Sequence, residues 1–233
     1  MNAGADQKLV RVNDSQPCCS GPWEEAYARF ETPQQEIAKF IRRLQKAGAA
    51  NWGKEAKVVE LFCGRGNGLH ALERLGFRNL EGADLSESLL AKYSGLAKCY
   101  VCDCRSLPFE DESRDIIIIQ GGLHHLPAIP EDLALTLREM RRVLRVGGFV
   151  LVIEPWLTPF LRLVHAVCES KVARRMSVKI DSLASMIENE RATYEQWLRS
   201  PEMIRDIFCG SFDRWEFQAS WGKVVFHGFR NIA

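Results

Sequence analysis

A short apolar run carrying one acid, followed at once by three alternating glycines, fills Lys57-Val58-Val59-Glu60-Leu61-Phe62-Cys63-Gly64-Arg65-Gly66-Asn67-Gly68. Val58 to Phe62 has the unbroken apolar character of a strand buried in a parallel sheet. Leu69, Leu72 and Leu75 then recur at the spacing of a helix packed on one side. Between the two, glycine permits a tight turn and lets a ligand approach the main chain, because no Cβ stands in the way. The segment reads as strand, glycine turn, helix, with a small molecule lying on the turn.

The same rhythm continues downstream. Leu80 to Leu85 reads as a second strand, with Ser86 capping a helix before Leu89 and Leu90. Cys99 to Cys102 reads as a third strand, and Ile116 to Ile119 as a fourth, buried on both faces. Pro130 opens a helix with Leu133, Leu137, Met140 and Leu144 inward and Arg138, Arg141 and Arg142 toward water. Gly147 and Gly148 should stop it before a fifth strand, Phe149 to Ile153. Upstream, Thr32, Pro33 and Gln35 spell a capped helix start ahead of the stripe Ile37, Phe40, Ile41, Leu44.

Strands alternating with helices imply parallel pairing with right-handed crossovers. From Trp156 to about Gly210 the periodicity is helical, basic first (Lys171, Arg174, Arg175) and acidic later. Two strands then follow, near Arg214 to Ala219 and Lys223 to Phe229, too close together for a parallel crossover. The expected fold is α/β and doubly wound, a mostly parallel seven-stranded sheet with a C-terminal antiparallel hairpin and a helical lid insertion. Residues 1–20 read as a flexible leader, 21–50 as a helical cap and 51–155 as the core. Residues 156–210 read as the lid and 211–233 as the closing strands.

Lys plus Arg total 31 against 30 Asp plus Glu. A net charge so near zero gives no sign of a nucleic-acid partner. No apolar run reaches membrane-spanning length and Met1 to Gln16 is polar, so a cytoplasmic home is expected, with a homodimer left open. Cys99, Cys102 and Cys104, the tight cluster among eight cysteines, lack partners at metal-ligand spacing and read as reduced. No metal is expected.

Two cofactor classes compete for the glycine turn. Gly66, Gly68 and Ala71 satisfy the dinucleotide fingerprint, but its first glycine would fall late after the strand. The alternative uses Glu60 with Gly64, Gly66 and Gly68. Here the sequence resembles the class I S-adenosylmethionine-dependent methyltransferases, most closely the small-molecule enzymes related to ubiquinone and menaquinone methylation. The likeness runs from Lys57 to Pro155 and includes Glu81 to Ser86, Cys102-Asp103-Cys104 with Leu107-Pro108-Phe109, Gln120 to Leu126, and Leu137 to Pro155. It implies that Asp84 binds the ribose hydroxyls and Asp103 the adenine amino group, with Leu85, Cys104 and Gln120 beside the cofactor. Many members carry glycine at Phe62, whose ring is read as core or as packing on the ligand, with core favoured.

The resemblance also implies methyl transfer from S-adenosylmethionine to an O, N or C nucleophile of a small organic acceptor, by in-line displacement. His124 and His125 fall where the fourth strand ends. In the related phosphobase methyltransferases a histidine at the place of His125 is partnered by an N-terminal tyrosine, for which Tyr27 is the candidate here. A catalytically silent cofactor-binding partner subunit and a nicotinamide oxidoreductase are the alternatives. Phe160, Leu163, Trp197 and Ile204 are expected in the lid, with Arg174, Arg175 and Lys179 either paired internally or drawing an anionic acceptor.

Overall fold

The computed structural model describes residues 9–12 and 21–231. Among the described residues eight strands form one sheet: β1 (Leu9–Arg11), β2 (Val58–Leu61), β3 (Leu80–Asp84), β4 (Lys98–Val101), β5 (Arg114–Gln120), β6 (Leu144–Pro155), β7 (Arg214–Ser220) and β8 (Lys223–Phe229). Their order across the sheet is β1-β4-β3-β2-β5-β6-β8-β7. Pairing is parallel from β1 to β6, and β8 runs antiparallel to both β6 and β7. The expected seven strands become eight because Leu9–Arg11, assigned to the flexible leader, adds to the edge beside β4. Leader residues 1–8 and 13–20 lie outside the described ones.

Alternation along the strands divides the core in two. Val59, Leu61, Ile117, Ile119, Val150 and Val152 face one side of the sheet, while Val58, Ile116, Ile118, Leu151 and Ile153 face the other. Helices α2 (Pro33–Lys46) and α3 (Asn67–Arg74) cover the second face with Ile37, Phe40, Leu44, Leu69 and Leu72. The Thr32 hydroxyl accepts from the Gln35 amide and the Gln35 side chain accepts from the Thr32 amide, the expected reciprocal cap. Ser86 likewise caps the short α4 (Glu87–Leu90).

On the first face lies α5 (Glu131–Val143), followed by the insertion α6 (Pro159–Glu169), α7 (Lys171–Met176), α8 (Val178–Asn189), α9 (Arg191–Arg199) and α10 (Pro201–Gly210). Helix α5 ends earlier than expected, and Leu144 opens β6, whose register with β5 shifts between Arg114 and Ile116. Arg142 does not simply face water. It donates to the carbonyls of Phe109 and Leu107 and pairs with Asp111 and Glu139, tying α5 to the loop before β5. Helix α1 (Gly21–Phe30) packs on α8, so the N-terminal cap and the insertion meet over one end of the sheet.

Candidate functional site

From β2 the chain winds outward through β3 to β4, then crosses to the other side of β2 and continues through β5 to β6. The carboxyl ends of β2 and β5 therefore border a crevice where open parallel sheets hold ligands. A cavity of about 380 Å³ lies there, roofed by α1 and α8. Glu60, Phe62, Gly64, Asp84, Leu85, Asp103, Cys104, Gln120, His124, His125 and Tyr27 all line it, so most of the candidate residues converge on one space.

Gly66 and Gly68 do not line the cavity. Gly66 has φ +76°, and a Cβ there would meet the Tyr93 ring at 2.2 Å. A Cβ on Gly68 would come within 1.8 Å of the Glu60 carboxylate. These two glycines make room for side chains rather than for a ligand. Gly64 does face the cavity, and its N–H donates to Asp84 Oδ2 at 2.7 Å. The Ser86 N–H donates to Asp84 Oδ1 at 2.8 Å, so two backbone amides fix the direction of this carboxylate.

Phe62 is not the strand's last core residue. The strand ends at Leu61, and Phe62 takes the left-handed region at φ +55°, which turns its half-buried ring between the core and the cavity. A side chain at Gly122 would strike that ring at 2.2 Å, so the β5 loop approaches closely only because Gly122 has none.

Glu60 is 3% exposed. Gln120 Nε2 donates to its Oε1 over 3.4 Å, while Glu60 Oε2 and Gln120 Oε1 are buried with no hydrogen-bond partner. Burial away from water raises its pKa to about 8, with the Gln120 contact acting in the opposite sense. Asp103 is held by a fork from Arg105, Nη2 to Oδ2 at 2.6 Å and Nε to Oδ1 at 3.0 Å, and Arg105 also reaches Asp132 at 2.7 Å. Arg105 fixes Asp103 in place while using part of its accepting capacity.

At the other end, Leu123–His125 form a single 3₁₀ turn after β5. Glu154, on β6 and 1% exposed, anchors it: Oε1 accepts from the amides of Gly122 and Leu123, and Oε2 contacts His124 Nδ1 at 2.7 Å. His125 Nδ1 lies 3.3 Å from Glu190 Oε2, which also accepts from the Trp23 indole at 2.8 Å. Trp23 meets the His125 ring edge to face at 5.4 Å. The aromatic that α1 brings to His125 is thus Trp23. Tyr27 stacks on Trp23, but its hydroxyl donates to Glu36 at 2.7 Å, and burial followed by that carboxylate raises its pKa.

Glu36 is a hub that sequence reading missed. Besides Tyr27 it accepts from Asn67 at 2.7 Å and Arg65 at 3.0 Å, both on the glycine turn, while Arg65 lies over the Tyr27 ring. One signal was available: Glu36 shares the four-residue spacing of Phe40 and Leu44, which places an acid on the buried stripe. Glu190 had none, standing among other acids at the break between α8 and α9.

The insertion faces the cavity with Leu183, Met186, Ile187, Glu190 and Tyr194. The expected Trp197 and Ile204 are instead in the core, and Phe160 and Leu163 are 43% and 63% exposed. Arg174 pairs with Asp181 and Glu188, and Lys179 with Glu31, so those cations are taken up internally. No helix among the described residues is long and apolar enough to cross a membrane.

Residues 59–152 match a family described as a methyltransferase domain. A demethylmenaquinone methyltransferase of Staphylococcus aureus is 34% identical over 109 residues, which cover 43% of this chain and 44% of that protein. The chain therefore aligns with less than half the length of that relative. The structure of a putative S-adenosyl-L-methionine-dependent methyltransferase from Methanococcus maripaludis superposes with a TM-score of 0.62 at 14% identity, covering 95% of this chain and 98% of that one. A protein from Pyrococcus horikoshii gives 0.59 at 18% identity, covering 91% and 100%. At such identities the structural likenesses speak for the fold alone.

Proposed function

We propose that this chain, whose residues 59–152 match a methyltransferase-domain family, belongs to the class I S-adenosylmethionine-dependent methyltransferases and transfers the methyl group of S-adenosylmethionine to a small organic acceptor. The observation carrying the reading is that Glu60, Asp84 and Asp103, from three successive strand ends, border a single cavity. That set of acceptors suits a ligand rich in hydrogen-bond donors. Glu60 and Gln120 present two buried oxygens still lacking partners, as a cationic methionine end would require. Asp84 would take the ribose hydroxyls and Asp103 the adenine amine, with Leu85 and Cys104 beside the base.

The bound sulfonium supplies a methyl group already activated for transfer. The protein's share is alignment, and holding reactants in line contributes about 7–11 kcal/mol in favourable cases. Phe62 and the α8 side chains Met186 and Ile187 give the cavity apolar walls, and in this reading the acceptor enters beside the 3₁₀ turn under Trp23 and Tyr27. For an acceptor protonated at working pH, His125 is the candidate base, held against Glu190 at 3.3 Å. A dinucleotide fits poorly: the glycine whose backbone should approach a pyrophosphate, Gly68, lies against the Glu60 carboxylate.

The test is to incubate the protein with metabolite extracts and methyl-labelled S-adenosylmethionine, and to look for a product that gains the label. Labelled product formed by the wild type and lost in Asp84→Ala supports the proposal. Label incorporation indifferent to Asp84→Ala would remove this cavity from the reaction.

A further inference from the structure

The geometry points to a divalent transition-metal site at the acceptor end of the cavity, built from His124, His125 and Glu190. One ligand atom from each lies within 4.8 Å of the other two. His124 Nε2 stands 3.9 Å from Glu190 Oε1, and His125 Nδ1 stands 3.3 Å from Glu190 Oε2. Donors about 2.1 Å from a tetrahedral zinc ion stand about 3.4 Å apart, so side-chain shifts of an ångström or less would close the set. Two imidazoles and one carboxylate, with the remaining positions open to the cavity, match the ligand set of catalytic zinc and of related first-row ions.

Two further observations support an ion here. The first is orientation. Glu154 engages His124 Nδ1 at 2.7 Å, which leaves Nε2 as the nitrogen directed at Glu190, and Glu154 is itself held by two backbone amides. A carboxylate fixing the far nitrogen of a histidine is the arrangement that orients metal-bound imidazole. The second is charge. The side chains of Glu154, Glu190, His124 and His125 are 0%, 9%, 10% and 11% exposed. Two carboxylates shielded from water beside two imidazoles form a buried, acid-rich donor set, a composition in which a divalent cation would offset the burial of the carboxylates.

An ion at this place would look into the cavity, so its open positions would take an acceptor that offers an oxygen, nitrogen or sulfur ligand atom. That part rests on the proposed function, in the form in which His125 serves as a ligand and not as the base; the ion site itself does not. Trp23 would hold Glu190 from the other side through its indole N–H, closing the site when α1 is seated.

The experiment strips the untagged full chain with a chelator, dialyses it, and titrates Zn²⁺ in competition with a chromogenic chelator. Co²⁺ is titrated in parallel and its visible d–d absorption recorded. The variants are Glu190→Gln, which keeps an oxygen for Trp23, and His125→Ala, with folding of both checked by circular dichroism. One ion per chain, bound at least tenfold more weakly by both folded variants and giving the Co²⁺ spectrum of a mixed nitrogen–oxygen site, is the expected result. No stoichiometric binding, binding unchanged in the variants, or a thiolate-to-Co²⁺ charge-transfer band would overturn the site. S-adenosylhomocysteine is titrated into the metal-free wild type in the same series. Failure of that binding alone would count against the proposed function and leave the metal result standing.

Discussion

Glu60 concentrates the physical chemistry of the site. A carboxyl group with its pKa raised to about 8 holds a proton in the folded protein that the unfolded chain has already lost at neutral pH. Between the ordinary carboxylate range and about pH 8, stability of the ligand-free protein should therefore fall as pH rises, by up to about 1.4 kcal/mol per pH unit from this group. Denaturant melts at several pH values should show that slope, and Glu60→Gln should flatten it; an identical slope in the variant would mean the group is not buried neutral. The same proton should leave when a cationic ligand arrives, so binding at pH 7 is expected to release protons, visible as a dependence of calorimetric heat on buffer. Gly68→Ala should cost about 1–3 kcal/mol through its collision with the same carboxylate. The double variant with Glu60→Ala should recover much of that loss, and strict additivity in a denaturation cycle would contradict the contact.

At the scale of elements, the glycine turn is held from outside by α2. Arg65 and Asn67 both donate to Glu36, and Tyr27 joins them from α1, so cap and turn form one unit. This explains what was legible and what was not. The strand–turn–helix order, the capped start of α2 and the acid at each strand end follow from local periodicity and turn chemistry, which a sequence displays. The separate duties of the glycines do not, because whether a missing Cβ faces a ligand, Tyr93 or Glu60 depends on tertiary neighbours. Phe62 was readable only in part for the same reason: it packs against the core as an apolar residue after Leu61 should, while its left-handed backbone and its cavity side are set by the turn. The insertion docks through Trp197, whose indole donates to the Pro155 carbonyl at 2.8 Å. Trp197→Ala should cost about 3–5 kcal/mol by denaturation, as expected for a fully buried aromatic. A loss below about 1 kcal/mol would mean the insertion is seated by other contacts.

Over the whole molecule, the parallel half of the sheet supplies the carboxyl-end crevice, and elements outside it supply the walls. Helices α1 and α8, far apart in sequence, meet over that crevice and bring Trp23 and Glu190 to the same histidine. Such long-range meetings leave no periodic trace, so the acceptor end was the least readable part of the chain, whereas the donor end lies on one continuous βαβ pattern. The central claim is that three strand-end acids grip one adenosyl ligand. Calorimetric titration of the wild type and Asp84→Ala with S-adenosylhomocysteine tests it most directly. One site per chain is predicted, weakened about 10- to 100-fold in the variant, as loss of hydrogen bonds to a charged group implies. No binding by the wild type, or equal affinity in both proteins, would contradict it.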